Sequence, residues 1–164
     1  MSERDDWNAR VAGIGCVLCA PRAESNDHVD FIAALSASSL YLAKNQTYRG
    51  QCQLVFDLRH ASRLDQLTSD EYAAFSADLY LAQNAVARVA NADHMNVESL
   101  GNVVPHLHWH IVPRYWDDGR WGMPVWTTPR SDMPDRRLEE SERNQLIDAI
   151  RGALREASIE EGLT

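Results

Sequence analysis

Residues 101–114 read Gly101-Asn102-Val103-Val104-Pro105-His106-Leu107-His108-Trp109-His110-Ile111-Val112-Pro113-Arg114, and this stretch decides how the chain is read. From Pro105 to Val112 apolar residues alternate with histidines, the pattern of a half-buried strand. Side chains on a strand alternate faces, so His106, His108 and His110 are expected on one face and Leu107, Trp109 and Ile111 on a core. Three of the chain's six histidines on one face are costly unless each ring finds partners for its two nitrogens. Three readings compete: a purely structural strand, a three-histidine metal site, and nucleophilic catalysis by a neutral imidazole whose neighbours set its tautomer. The outer pair would lie roughly 13 Å apart at Cα, a poor tetrahedral claw.

Working outward, Gln51 to Asp57 reads as a strand, and Ser39 to Lys44 as another, joined by a turn at Tyr48-Arg49-Gly50. Thr68-Ser69-Asp70-Glu71 is a capping box. Behind it Tyr72, Phe75, Leu79, Ala82, Val86 and Val89 recur at helical spacing, predicting one long helix. A further strand is expected near Met95 to Leu100, and a C-terminal helix over Glu139 to Ala157 with Leu146, Ile147, Ile150 and Leu154 buried. Gly13, Gly15 and Pro21 around Cys16 and Cys19 predict loop or short helix at the N-terminus. The order of elements is that of an α+β domain: a sheet, one long crossover helix and a helix at the end.

The chain has 164 residues, no internal repeat and no linker, and is read as one domain over residues 1–164. No apolar run is long enough to cross a membrane, and the polar, acidic start Ser2 to Asp6 is unlike a signal peptide, so a cytoplasmic protein is expected. A net charge of -8 argues against binding a nucleic-acid polymer, which needs a basic stripe. It leaves room for a small nucleotide in one local pocket. Three cysteines are too few for a disulfide scaffold, and Cys52, in an apolar stretch, reads as a small core residue.

Residues His106 to Val112 match at every position the signature His-φ-His-φ-His-φ-φ of the histidine triad (HIT) family, φ being apolar, and Pro-Arg follows as in many members. The chain resembles that family over about residues 51–126, including Leu54 to His60 and the helix from Thr68 to Val89. The resemblance implies a HIT-like fold with an antiparallel sheet. It also implies a nucleotide hydrolase or nucleotidyl transferase, acting on a dinucleoside polyphosphate or a nucleoside phosphoramidate. His108 would attack the α-phosphorus, and His110 would point a ring proton at the phosphate oxygens. The alternative is a regulatory nucleotide- or zinc-binding protein with little turnover. Gly101, Asn102 and Val103 correspond to the family's phosphate loop, where Asn102 replaces the usual Gln and Val103 a hydroxyl residue. That replacement removes one group that could assist the leaving group. Asn96 stands where relatives face the phosphate. Arg114 could neutralise phosphate or lie in solvent at the strand end.

In some triad proteins, and in related galactose-1-phosphate uridylyltransferases, a Cys-x-x-Cys pair binds zinc with two histidines. Residue by residue this transfers to Cys16, Cys19, His60 and His106, a closed and therefore structural site. Without metal, Cys16 and Cys19 would be small apolar fillers and His60 a donor to a carbonyl. His28 and His94 have no matching role. Trp121 and Trp126 could form a base platform, a dimer contact or ordinary core. Triad proteins of this size are commonly homodimers, and the same is expected here.

Overall fold

The computed structural model describes residues 2–19, 25–127 and 129–162; Pro21 lies outside them. A short helix α1 (Glu3–Val11) opens the chain, closed at its start by reciprocal hydrogen bonds between Ser2 and Asp5. Strands β1 (Val29–Ala34), β2 (Ser38–Ala43) and β3 (Cys52–Phe56) follow, then helix α2 (Ser69–Ala90), strands β4 (His94–Glu98) and β5 (His108–Arg114), and helix α3 (Glu140–Glu160). The five strands form one antiparallel sheet in the order β1-β2-β3-β5-β4. The fold is α+β, with α2 as the crossover that carries the chain from β3 to the far edge.

Both long helices pack on one face of the sheet. Phe75, Ala82, Ala85 and Val86 of α2 and Leu146, Ile150 and Leu154 of α3 share a core with Leu40, Leu54 and Ile111. Cys52 is fully buried in it, and burial pushes its thiol well up from the ordinary range. The Thr68 hydroxyl caps α2 by accepting the Glu71 N–H, and the Glu71 carboxylate accepts from the Thr68 N–H in return. One member of the expected stripe differs: Tyr72 is half exposed, because the buried arc of α2 runs through Phe75, Asp78 and Leu81 instead. Asp78 is buried to fasten the sheet, accepting from the Ser36 and Ala37 N–H groups at 3.1 and 2.8 Å and from the Ser38 hydroxyl at 2.6 Å.

The β2–β3 turn forms as the sequence predicts. Gly50 takes φ +89°, and a Cβ there would meet Ala90 Cβ at 3.1 Å and Pro113 Cγ at 3.2 Å. Buried Gln46 braces the turn by accepting the Gly50 N–H at 2.7 Å.

Strand β1 is an addition to the sequence reading. Its inward Asp30 pairs with Lys44 and with Arg143 of α3, while Arg151 donates to the Phe31 and Ile32 carbonyls. The triad strand is also displaced relative to its predicted start at Pro105. The His106 N–H folds back to the Val104 carbonyl at 2.8 Å, and ladder pairing along β5 begins at His108. Among the described residues no helix is long and apolar enough to cross a membrane.

Candidate active site and metal cluster

Along β5, His108, His110 and Arg114 face away from the helices, whereas Trp109 and Ile111 pack into the helix-covered core. His106 precedes the strand and turns elsewhere, so the expected row of three is a pair plus one. The rings of His108 and His110 lie 4.9 Å apart at 80° to each other. His108 is 7% exposed, and its Nδ1–H donates to the His106 carbonyl oxygen at 2.6 Å. That bond places the lone pair of the neutral ring on Nε2. Burial lowers the His108 pKa, against the opposing pull of the bond to His106. His110 goes down to about 4, through burial first and the neighbouring His108 second. Trp126 lies edge-on to His110, 4.9 Å between ring centres. It and Trp121 are each more than a third exposed, so neither is core packing; Trp121 leans on Trp116 instead.

His106 is turned toward a second cluster. Its Nδ1 lies 3.4 Å from both Cys16 Sγ and Cys19 Sγ, and His60 Nδ1 lies 3.3 Å from Cys19 Sγ. The four ligand atoms all fall within 4.8 Å of one another. A tetrahedral zinc with ordinary Zn–S and Zn–N bonds has S···N edges of roughly 3.5 Å, so the spacing suits the ion. The tautomers suit it as well. The His106 Nε2–H donates to the Phe56 carbonyl at 2.8 Å and the His60 Nε2–H to the Val11 carbonyl at 3.1 Å. Both Nδ1 lone pairs therefore face the thiols, the arrangement by which outer-shell carbonyls orient metal-binding imidazoles. Gly13 makes the approach possible: at φ +83°, any Cβ would stand 3.0 Å from His60 Cγ. The neighbouring Arg59 makes a two-pronged bond to Glu71 in the first turn of α2 and donates to the His60 carbonyl at 3.4 Å.

The loop that follows β4 carries Gly101, Asn102 and Val103; Val103 is exposed and its carbonyl accepts from Arg10 of α1 at 3.4 Å. Asn96 lies farther along β4, opposite Val112, and its Oδ1 accepts from Arg114 at 2.9 Å. Arg114 is neither in solvent nor open to a phosphate. It is 4% exposed, and all five of its N–H donors go to protein atoms: Asp118 twice, Asn96, and the Met123 and Arg120 carbonyls. Of the two unassigned histidines, His28 is exposed and His94 lines a cavity with Asn96 and Arg114.

A family model described as "HIT domain" matches residues 31–117, more than half of the chain. The chain belongs to the HIT family. The match starts at β1, some twenty residues ahead of the stretch legible from the triad, and stops short of Trp121 and Trp126. Cys16 and Cys19 lie outside it.

Solved HIT structures share the fold. A histidine triad protein of Bradyrhizobium japonicum is 24% identical with a TM-score of 0.72, the alignment covering 82% of this chain and 97% of that one. One from Marinobacter aquaeolei is 21% identical, TM-score 0.69, over 79% and 91% of the two chains. A Zn-bound histidine triad family protein of Mycobacterium smegmatis is 20% identical, TM-score 0.54, over 92% and 93%. No curated protein sequence matches the chain.

Some residues of this HIT site escape sequence reasoning. Glu98 stands directly opposite His110 in the β4–β5 ladder and so shares its face. Only the register between the two strands brings them together. Gly13 acts through His60, whose ring its missing Cβ admits, and the Arg59–Glu71 pair holds the adjoining backbone; the capping box marks Glu71 for a different reason.

Proposed function

We propose that this HIT protein cleaves a nucleotide at its α-phosphate, as a hydrolase or nucleotidyl transferase, through a covalent nucleotidyl-histidine on His108. The observation that supports this best is the His108 Nδ1–H bond to the His106 carbonyl. It holds a neutral imidazole in one tautomer, with the Nε2 lone pair available as nucleophile. His110, also neutral near pH 7 because of its burial, presents an N–H to the phosphate oxygens. Backbone amides of Gly101, Asn102 and Val103 complete the anion cradle. Asn96 and Arg114 form the wall behind it rather than touching phosphate themselves.

In the first step the His108 Nε2–P bond forms as the bond to the leaving group breaks, the bonding pair leaving with that group. Water, or another acceptor in transfer, then takes the nucleotidyl group from Nε2. The sum for hydrolysis adds water: the nucleoside monophosphate gains the hydroxyl and the leaving group gains the hydrogen. Positioning and charge neutralisation supply most of the catalysis in such transfers.

To Cys16, Cys19, His60 and His106 we assign a structural zinc. The spacing and tautomers of the four residues support it, as does the Zn-bound relative from Mycobacterium smegmatis. Such a site ties the N-terminal segment to the carbonyl that orients His108, because His106 supplies both the ligand and that carbonyl. We also read the protein as a homodimer; β4 lies at the sheet edge, where a second copy could continue the ladder.

A cleavage screen tests the reaction. Dinucleoside polyphosphates, nucleoside phosphoramidates and nucleotidyl sugars are offered to the purified chain, and release of nucleoside monophosphate from one class is expected. Turnover of none of them counts against the proposal.

A further inference from the structure

Helix α1 buries none of its nine residues. A helix that short is marginal in water unless something else holds it. Among the described residues, two hydrogen bonds join it to the chain beyond the N-terminal segment: the His60 Nε2–H donates to the Val11 carbonyl at 3.1 Å, and the Arg10 guanidinium donates to the Val103 carbonyl at 3.4 Å. Both come from the last turn of α1, and both lead to the site. The Asp6 carboxylate, one turn back, ion-pairs with the same guanidinium and aims it.

The loop that Arg10 reaches has little else to fix its shape. The N–H groups of Gly101, Asn102 and Val103 have no hydrogen-bond partner among the described residues. Gly101 takes φ +65°, and a Cβ there would meet the Val104 carbonyl at 3.8 Å. The far end of the loop is secured, since the His106 N–H bonds Val104 and the His106 ring sits against Cys16 and Cys19. Its middle is secured by the bond from Arg10. Amides that receive an anion must converge on it beforehand, because ordering a loop on binding subtracts from affinity.

We propose that Arg10 is a positioning residue for the phosphate loop: by holding the Val103 carbonyl toward α1 it keeps the amides of Gly101, Asn102 and Val103 arranged for the α-phosphate. The inference rests on the proposed binding of an α-phosphate at this loop. Arg10 acts through the loop and does not touch the substrate. The N-terminal segment thus grips the stretch ahead of β5 at two points, Val103 through Arg10 and His106 through the cysteine pair. Arg10 lies ahead of the residues matched by the family model, so this grip is supplied by the N-terminal segment and not by the matched core.

The test measures AMP binding to the full chain by calorimetry, with kcat and KM on adenosine 5′-phosphoramidate beside it. Arg10→Gln should weaken AMP binding by about tenfold and raise KM more than it lowers kcat, with metal content and melting temperature as in wild type. Arg10→Lys should recover most of the affinity, because one carbonyl needs a single donor. A guanidinium that gripped phosphate directly with two N–H groups would not be replaced by lysine. An unchanged AMP affinity in Arg10→Gln overturns the inference. So does Arg10→Lys binding no better than Arg10→Gln, and so does a loss of affinity that comes with loss of metal. In each of these cases wild-type binding and turnover leave the role of His108 standing. A wild type that neither binds AMP nor cleaves any substrate class in the wider screen removes both.

Discussion

The His108 Nδ1–H reaches the His106 carbonyl across only two residues, at 2.6 Å, while the His106 side chain turns into the Cys16–Cys19–His60 cluster. One residue therefore serves two sites, its backbone setting the His108 tautomer and its ring joining the Cys/His cluster. Disturbing the cluster should be felt at His108.

The first prediction concerns that link. Purified protein should hold about one zinc per chain, and Cys16→Ser with Cys19→Ser should lose it, with a lower melting temperature and a lower kcat. Gly13→Ala should act in the same direction through strain at φ +83° and the 3.0 Å approach to His60, costing roughly 1–3 kcal/mol. Metal analysis with thermal melts checks both; a stable, active, metal-free double variant contradicts the assignment.

Acid stability provides a second prediction. His110 titrates near 4 in the folded protein, against an ordinary value of 6.5 when unfolded. Between these values the unfolded chain binds a proton that the folded chain refuses. Stability is therefore full above about pH 6.5 and falls as the pH drops toward 4, by on the order of 3 kcal/mol for the whole shift. His110→Gln should flatten that slope. Denaturant midpoints measured from pH 7 to 4 decide it, and parallel slopes for variant and wild type would count against the burial argument.

Arg114 supplies a third. Because its guanidinium holds Asp118, Asn96 and two carbonyls, Arg114→Lys should destabilise the protein before any substrate is added, by about 3 kcal/mol. A phosphate ligand would behave differently, raising KM while leaving the melting temperature alone. Melting curves of the unliganded variant separate these outcomes.

Asp78, remote from the histidines, gives a fourth. Asp78→Ala strands two N–H groups and a hydroxyl at the β1–β2 turn and should cost about 2–4 kcal/mol. The kcat of the folded fraction should stay near wild type, which urea titration and assay below the transition can show.

How far the sequence was legible follows from how local each signal is. The triad strand and α2 declare themselves through periodicity and a capping box, all within a few turns of chain. Strand β1 does not, because inward Asp30 depends on Lys44 and Arg143 and the register slips between Phe31 and Ala33. Pro105 continues the alternating strand pattern, but the His106 N–H turns back to Val104 and separates His106 from the pair that follows it. The Cys/His cluster gathers residues 16 to 106, which only family resemblance could connect. The sequence leaves Arg114 open between a phosphate ligand and a solvent-exposed strand end, because Asp118 and the carbonyls that engage it come from a segment without periodicity. Glu98 was invisible for a related reason, since its pairing with His110 depends on the register that the loop after β4 permits.

The central claim is that His108 is the nucleophile, and trapping the intermediate tests it most directly. Protein mixed with a cleavable adenosine substrate, quenched in the first turnover and examined by mass spectrometry, should carry one adenylyl group, located on His108 by peptide mapping. His108→Ala should fold, keep its metal and carry none. An adduct that persists in His108→Ala, or wild-type turnover with no trappable adduct on His108, would contradict the account.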